Sequence, residues 1–161
     1  LLYTYIAPFV APSGLASDID RVLLVFGLAS VLSLWIVGSL IDRWLRELML
    51  ISTLLFMLSA IALGLWRESA TVVYLAVAVW GLAFGAMPSL LQTASAKTAG
   101  EAADTAQSML VTLWNVGIAG GGLAGGLLLG SLGVGGFPWI VVGLLVLTLS
   151  AVLRARGYGF V

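Results

Sequence analysis

Long uncharged apolar runs alternate along this chain with short polar or charged segments. Runs close to spanning length, or longer, lie at roughly 22–41, 48–66, 70–92, 105–130 and 137–153; a membrane helix needs about 20 mostly apolar residues. Residues 1–11 are apolar but too short to span, and read as the end of a helix whose start lies upstream. The pattern predicts five complete membrane helices and one remnant, joined by short connections.

The borders carry helix-terminus chemistry. Ser17-x-x-Asp20 and Thr98-x-x-Glu101 fit capping boxes, in which side chains bond first-turn N–H groups that have no helical partner. Glu101 and Asp104 place negative charge at the positive end of the helix that follows. Pro138 suits a first turn, where a missing N–H costs nothing.

Composition fixes the solvent. Charged residues make up 9% of the 161, against roughly 25% in an average soluble domain. Hydrophobic residues reach 61%, leaving too little polar sequence for a water-facing shell, so the lipid bilayer is the expected partner. A formal net charge of zero argues against nucleic-acid binding. Without cysteine or histidine, disulfides and thiolate or imidazole metal sites are excluded, and no cofactor or metal is expected. The chain opens Leu1-Leu2-Tyr3-Thr4, with no initiator Met or signal-peptide pattern, as the interior of a longer protein would.

With alternating spans, Arg43, Arg46, Lys97, Arg154 and Arg156 fall on one side and Arg21 and Arg67 on the other. The excess puts the first set, and the C-terminus, in the cytoplasm. Trp44, Trp66 and Trp139 sit at borders, where an interfacial aromatic belt belongs.

No charged residue lies inside the five spans. Intramembrane carboxylates mark proton relays, so these spans cannot by themselves couple transport to protons. The serines have no base at membrane depth, which argues against an enzyme. Within 105–130, Gly117, Gly121 and Ala124 form one small stripe and Asn115, Ala119, Gly122 and Gly126 another, roughly opposite. Two small faces fit a helix wedged between neighbours, packed statically or able to slide. Asn115 either faces a cavity and binds solute or bonds to a neighbouring helix. Gly81, Gly85, Pro88 and Gln92 share a face of 70–92, and Pro88 should kink that helix. Trp35, Trp80 and Trp114 lie inside spans and are candidate cavity walls or packing residues, since a buried indole seeks a partner for its N–H. Tyr3 and Tyr5 are cavity candidates too, but at i and i+2 they cannot both point directly the same way, so at most one lines a cavity centrally.

Gly38-Ser39-Leu40-Ile41-Asp42-Arg43-Trp44-Leu45-Arg46 resembles the G-x-L-x-D-R-x-G-R-K signature of major facilitator transporters. Leu45 replaces the second glycine and Glu47 the last basic residue. Tyr3–Phe9, Leu24–Ala29, Trp80–Gly85, Leu91–Thr93, Glu101–Asp104 and Asn115–Ala119 resemble, in order, segments of helices seven, eight, ten and eleven of drug:proton antiporter members. Sugar (arabinose) or purine ribonucleoside exporters look most similar.

The resemblance implies an all-α polytopic fold: the C-terminal six-helix half of a bacterial inner-membrane exporter, its first helix truncated. It implies proton-coupled efflux of a small organic solute by alternating access, with the N-terminal half as partner. Gly38, Asp42, Arg43 and Arg46 would then act in the cytoplasmic gate. Asp42, at the negative end of its own helix, would be offset by Arg43, Arg46 or a helix N-terminus of the other half. The rival readings are a membrane-embedded structural or assembly subunit and the membrane subunit of an ATP-driven transporter.

Overall fold

A computed structural model describes residues 2–154. After a short α1 (Ile6–Val10), two 3-10 turns through Gly14 lead into α2 (Ile19–Leu65). At 47 residues α2 would run about 70 Å if straight, more than twice a ~30 Å hydrocarbon core. It is not straight. Trp44 leaves helical geometry (φ −128°, ψ 29°), and the chain doubles back there. Phe26 and Phe56 would be ~45 Å apart along one rod, yet their ring centroids lie 4.9 and 6.0 Å from that of Trp80.

The runs expected at 22–41 and 48–66 are therefore arms of one broken helix, 19–43 and 45–65, with no loop between them. Neither Gly nor Pro occurs at 42–47. Leu, Arg and Glu there favour helix, and one residue makes the break.

The helix expected at 70–92 is also divided, into α3 (Ala70–Gly85) and α4 (Met87–Ala99), with Pro88 in the first turn of α4. At the end of α3 the Ala86 N–H bonds the Phe84 carbonyl. Hydroxyls from the first arm of α2 supplement the carbonyls just before it: Ser33 donates to Leu82 and Ser30 to Gly81. From the second arm, Ser59 donates to Ala76 at 2.7 Å. These bonds hold α3 against both arms.

Gly100 (φ 52°, ψ −119°) turns the chain into α5 (Ala103–Leu132), and Gly133 (φ 62°) into α6 (Phe137–Arg154). Both adopt positive φ, which glycine accepts without steric cost.

Neither capping box forms. The Ser17 hydroxyl turns to Asp18, and Thr98 bonds back to the Ala94 carbonyl. The 3-10 turns Leu15–Asp18 and Gly100–Ala102 delay both helix starts and put the expected caps out of register. Asp104 does lie in the first turn of α5, and Pro138 is the second residue of α6.

Two apolar clusters fill the interior. One gathers Phe9, Val22, Leu63, Val77, Trp80 and Phe137. The other, near the Trp44 bend, gathers Val37, Leu45, Met49, Leu90 and Val152. Helix α5 buries only Gly125.

Among the described residues three helical stretches are long and apolar enough to cross a membrane: Leu15–Leu65, Ala70–Leu132 and Val134–Arg154. The first two, at 51 and 63 residues, far exceed the ~20 residues of one crossing, which makes this a multi-pass membrane protein.

Candidate functional site

A band of aromatic rings runs through the helices. Trp80 lies at its centre, packed edge-on by Phe26 at 4.9 Å and stacked nearly parallel (11°) with Phe56 at 6.0 Å. Tyr3 covers one end, 5.5 Å from Phe26 and 6.3 Å from Trp80. At the other end Phe84 touches Phe26, Phe56 and, at 5.8 Å, Trp114 of α5. Offset and edge-to-face pairs of this kind add to simple area burial. Rings from both arms of α2, from α3 and from α5 thus form one connected surface.

Beyond Trp114 the band opens into a pocket of about 190 Å³ between α4 and α5, lined by Pro88, Leu91, Gln92, Leu110, Val111, Trp114 and Asn115. The break at Ala86–Pro88 brings Pro88, Leu91 and Gln92 to face α5. Asn115 donates through Nδ2 to the Val111 carbonyl of its own helix at 3.0 Å, which leaves its amide oxygen as an acceptor. Gln107 of α5 donates to the Gln92 carbonyl at 2.9 Å and ties the two walls together. Ordinary small-molecule sites are roughly 300–1,000 Å³, so this pocket has the size of part of one.

A larger groove of about 500 Å³, between the second arm of α2 and α3, is chemically poorer. Its polar lining side chains are Ser59, whose hydroxyl is committed to the Ala76 carbonyl, and Trp66, which carries one indole N–H. Neither supplies the paired donor and acceptor of an amide.

The structure brings Tyr3, Trp80, Trp114 and Asn115 to this continuous site and leaves Trp35 out. Trp35 is 82% exposed and points away from the face of Ser33 and Val37 that packs inward. Tyr3 and Tyr5 diverge as their spacing requires: Tyr5 packs on Phe137 and bonds the Gly122 carbonyl.

The glycines divide sharply. A Cβ on Gly81 would lie 2.5 Å from the Phe26 carbonyl oxygen, and one on Gly85 2.5 Å from the Ser30 Cα. Their absent side chains set the distance between α3 and α2. Gly126 faces the Tyr5 hydroxyl, and Gly121 is half-buried. Gly117 and Gly122 have nothing within 4 Å of a would-be Cβ among the described residues, so these two glycines are not held against a neighbouring helix here.

At the Trp44 bend Asp42 and Arg43 are exposed, and a Cβ on Gly38 would touch nothing. The expected pairing of Asp42 with Arg43 or Arg46 is not made: among the described residues Arg21–Asp18, at 2.7 Å, is the one ion pair. Arg46 instead holds its Nε and Nη2 buried with no hydrogen-bond partner. Arg156 lies outside the described residues.

The profile of the Major Facilitator Superfamily matches residues 2–158. The chain belongs to that superfamily. It is 31% identical over 149 residues to a probable sugar efflux transporter of Helicobacter pylori strain G27, covering 90% of this chain and 38% of that protein. A protein of the same description from Helicobacter acinonychis is 28% identical over 149 residues, and one from Mannheimia succiniciproducens 27% over 140. The matches to these two cover 90% and 86% of this chain and 38% and 35% of the relatives. The chain thus spans about two fifths of the length of the curated relatives it matches. No solved structure matches it.

Superfamily membership puts this chain in a family of transporters rather than enzymes. The aromatic band with its pocket draws side chains from both arms of α2, from α3, α4 and α5. Sequence reasoning singled out Trp80 and Trp114 but missed Phe26, Phe56 and Gln107. Their roles depend on the reversal at Trp44 and the turn at Gly100, which pair segments far apart in sequence.

Proposed function

We propose that this chain supplies one wall of the solute cavity of a secondary exporter carrying a small, uncharged, polyhydroxylated solute of the sugar class. The supporting observation is the pocket between α4 and α5. Trp114 offers a flat apolar surface to C–H groups, while the Gln92 and Asn115 amides offer donors and acceptors to hydroxyls. No charged side chain lines the pocket or the band, which disfavours ionic solutes. The similarity to probable sugar efflux transporters supports the same class.

Transport proceeds by alternating access, with further helices closing the cavity from the side that α5 leaves open. Proton coupling requires a titratable group at membrane depth. The lining residues here provide none, so coupling rests with the roughly three fifths of the relatives' length that this chain does not cover. In this reading the protein sits in a bacterial inner membrane with the Trp44 bend and the C-terminus on the cytoplasmic side, an orientation that the positive-charge bias supports.

The test is counterflow in proteoliposomes containing the complete transporter, with labelled arabinose, a purine ribonucleoside and a cationic drug offered separately. Arabinose exchange that falls about tenfold or more in both Trp114→Ala and Asn115→Ala supports the reading. Exchange of the drug alone overturns it.

A further inference from the structure

Trp80 is the most enclosed polar group in the site. It is 4% exposed, and its indole nitrogen is inaccessible and without a hydrogen-bond partner among the described residues. Buried donors are almost always satisfied, and each exception calls for an explanation. Packing does not explain this one. The ring sits among Phe26, Phe56 and Tyr3, where a phenylalanine would also pack against rings without burying an N–H.

The cover over it is uneven. Phe26 and Phe56 are half-buried side chains of α2, held by the close contact of both arms with α3. Tyr3 is 55% exposed and precedes α1 in a turn, lying edge-on to Trp80 at 76°. Its hydroxyl makes no hydrogen bond among the described residues, so little holds it in place.

We infer that the Trp80 indole N–H is a specificity-determining donor to an oxygen of the carried solute, and that Tyr3 is the lid that uncovers it. The inference rests on reading this band as the solute surface. With the lid down the donor is desolvated and idle. With the lid displaced, a hydroxyl or ring oxygen of the solute supplies the missing acceptor. A site that leaves a buried donor unpaired rejects a solute lacking the matching oxygen far more strongly than shape alone can. The donor therefore discriminates a hydroxylated solute from its deoxy analogue, while the surrounding rings would bind either.

The experiment uses the complete transporter and compares the wild type with Trp80→Phe, which keeps a ring and deletes the donor. Binding of arabinose and of its monodeoxy analogues is measured in detergent, with the indole N–H resonances followed by NMR. Trp80→Phe should weaken arabinose about tenfold or more and leave unchanged the one analogue that lacks the recognised oxygen. The resonance absent from Trp80→Phe should move downfield on binding in the wild type. Tyr3→Ala should speed the association of arabinose; association at the wild-type rate would remove Tyr3 as the lid.

Equal weakening of every analogue, or a Trp80 resonance that stays in place as arabinose binds, overturns the inference. If the wild type ignores arabinose but the ribonucleoside shifts the Trp80 resonance, the sugar reading falls and the donor role stands.

Discussion

The Tyr5 hydroxyl donates a 3.0 Å hydrogen bond to the carbonyl of Gly122, 117 positions further on. Its ring rests edge-on against Phe137 at 5.4 Å, and Gly126, one turn beyond Gly122, leaves room for the phenol. At the other end of α5 the Gln107–Gln92 bond holds the helix to α4. Between these ties α5 is mostly exposed, so two polar contacts position a helix with little buried surface. Tyr5→Phe keeps the ring and removes the tie, worth about 1 kcal/mol. Hydrogen exchange should rise over residues 118–132 and stay unchanged over α3. A uniform rise along the chain would argue against a local tie.

Glycines that look alike in sequence should behave in opposite ways. Gly81→Ala forces a Cβ against the backbone carbonyl of Phe26, an overpacking that costs about 1–3 kcal/mol. Gly117→Ala meets nothing within 4 Å and should be neutral or gain up to about 1 kcal/mol in helix propensity. Melting in detergent checks both. The first variant should melt several degrees below the wild type and the second at or above it. Equal melting would mean that α3 does not approach α2 as closely as described.

This contrast shows where sequence reading reaches its limit. The helical class, the membrane setting and the chemistry of the runs follow from local patterns of charge and apolarity. Pro88 also marks its own break, because a missing N–H acts where it occurs. The charged segment 42–47 marks where two spans part, but Trp44 carries no mark of its own: it is an ordinary helix-compatible residue, and nothing local says that the break falls on it alone, without a loop. The same applies to Gly81 and Gly117. Each lies on a small-residue face, but which face meets a neighbour depends on helix order, and periodicity carries no information about that order.

Asp42 tests the gate. It is exposed and makes no ion pair among the described residues, at the end of a helical arm where a negative charge opposes the dipole. A contact formed only while the cytoplasmic side is closed would bias the outward-open state. Asp42→Asn in the complete transporter should then lower efflux about tenfold, the size of one ~1.4 kcal/mol contact, with expression little changed. Efflux in inverted vesicles at the wild-type rate would remove Asp42 from the gate.

Arg46 allows a sharper test, because its effect should change sign with context. Two of its nitrogens are buried and have no partner among the described residues, and an uncompensated buried charge destabilises the fold that contains it. Arg46→Met fills similar space without the charge, so this chain alone should melt at the same temperature or higher. If the rest of the transporter supplies an anion to Arg46, the same substitution in the complete protein leaves that anion buried and alone, at a cost of about 3–5 kcal/mol. The complete variant should then melt lower than its wild type and transport poorly. Melting shifts of the same sign in both proteins would mean that Arg46 finds no partner across the interface.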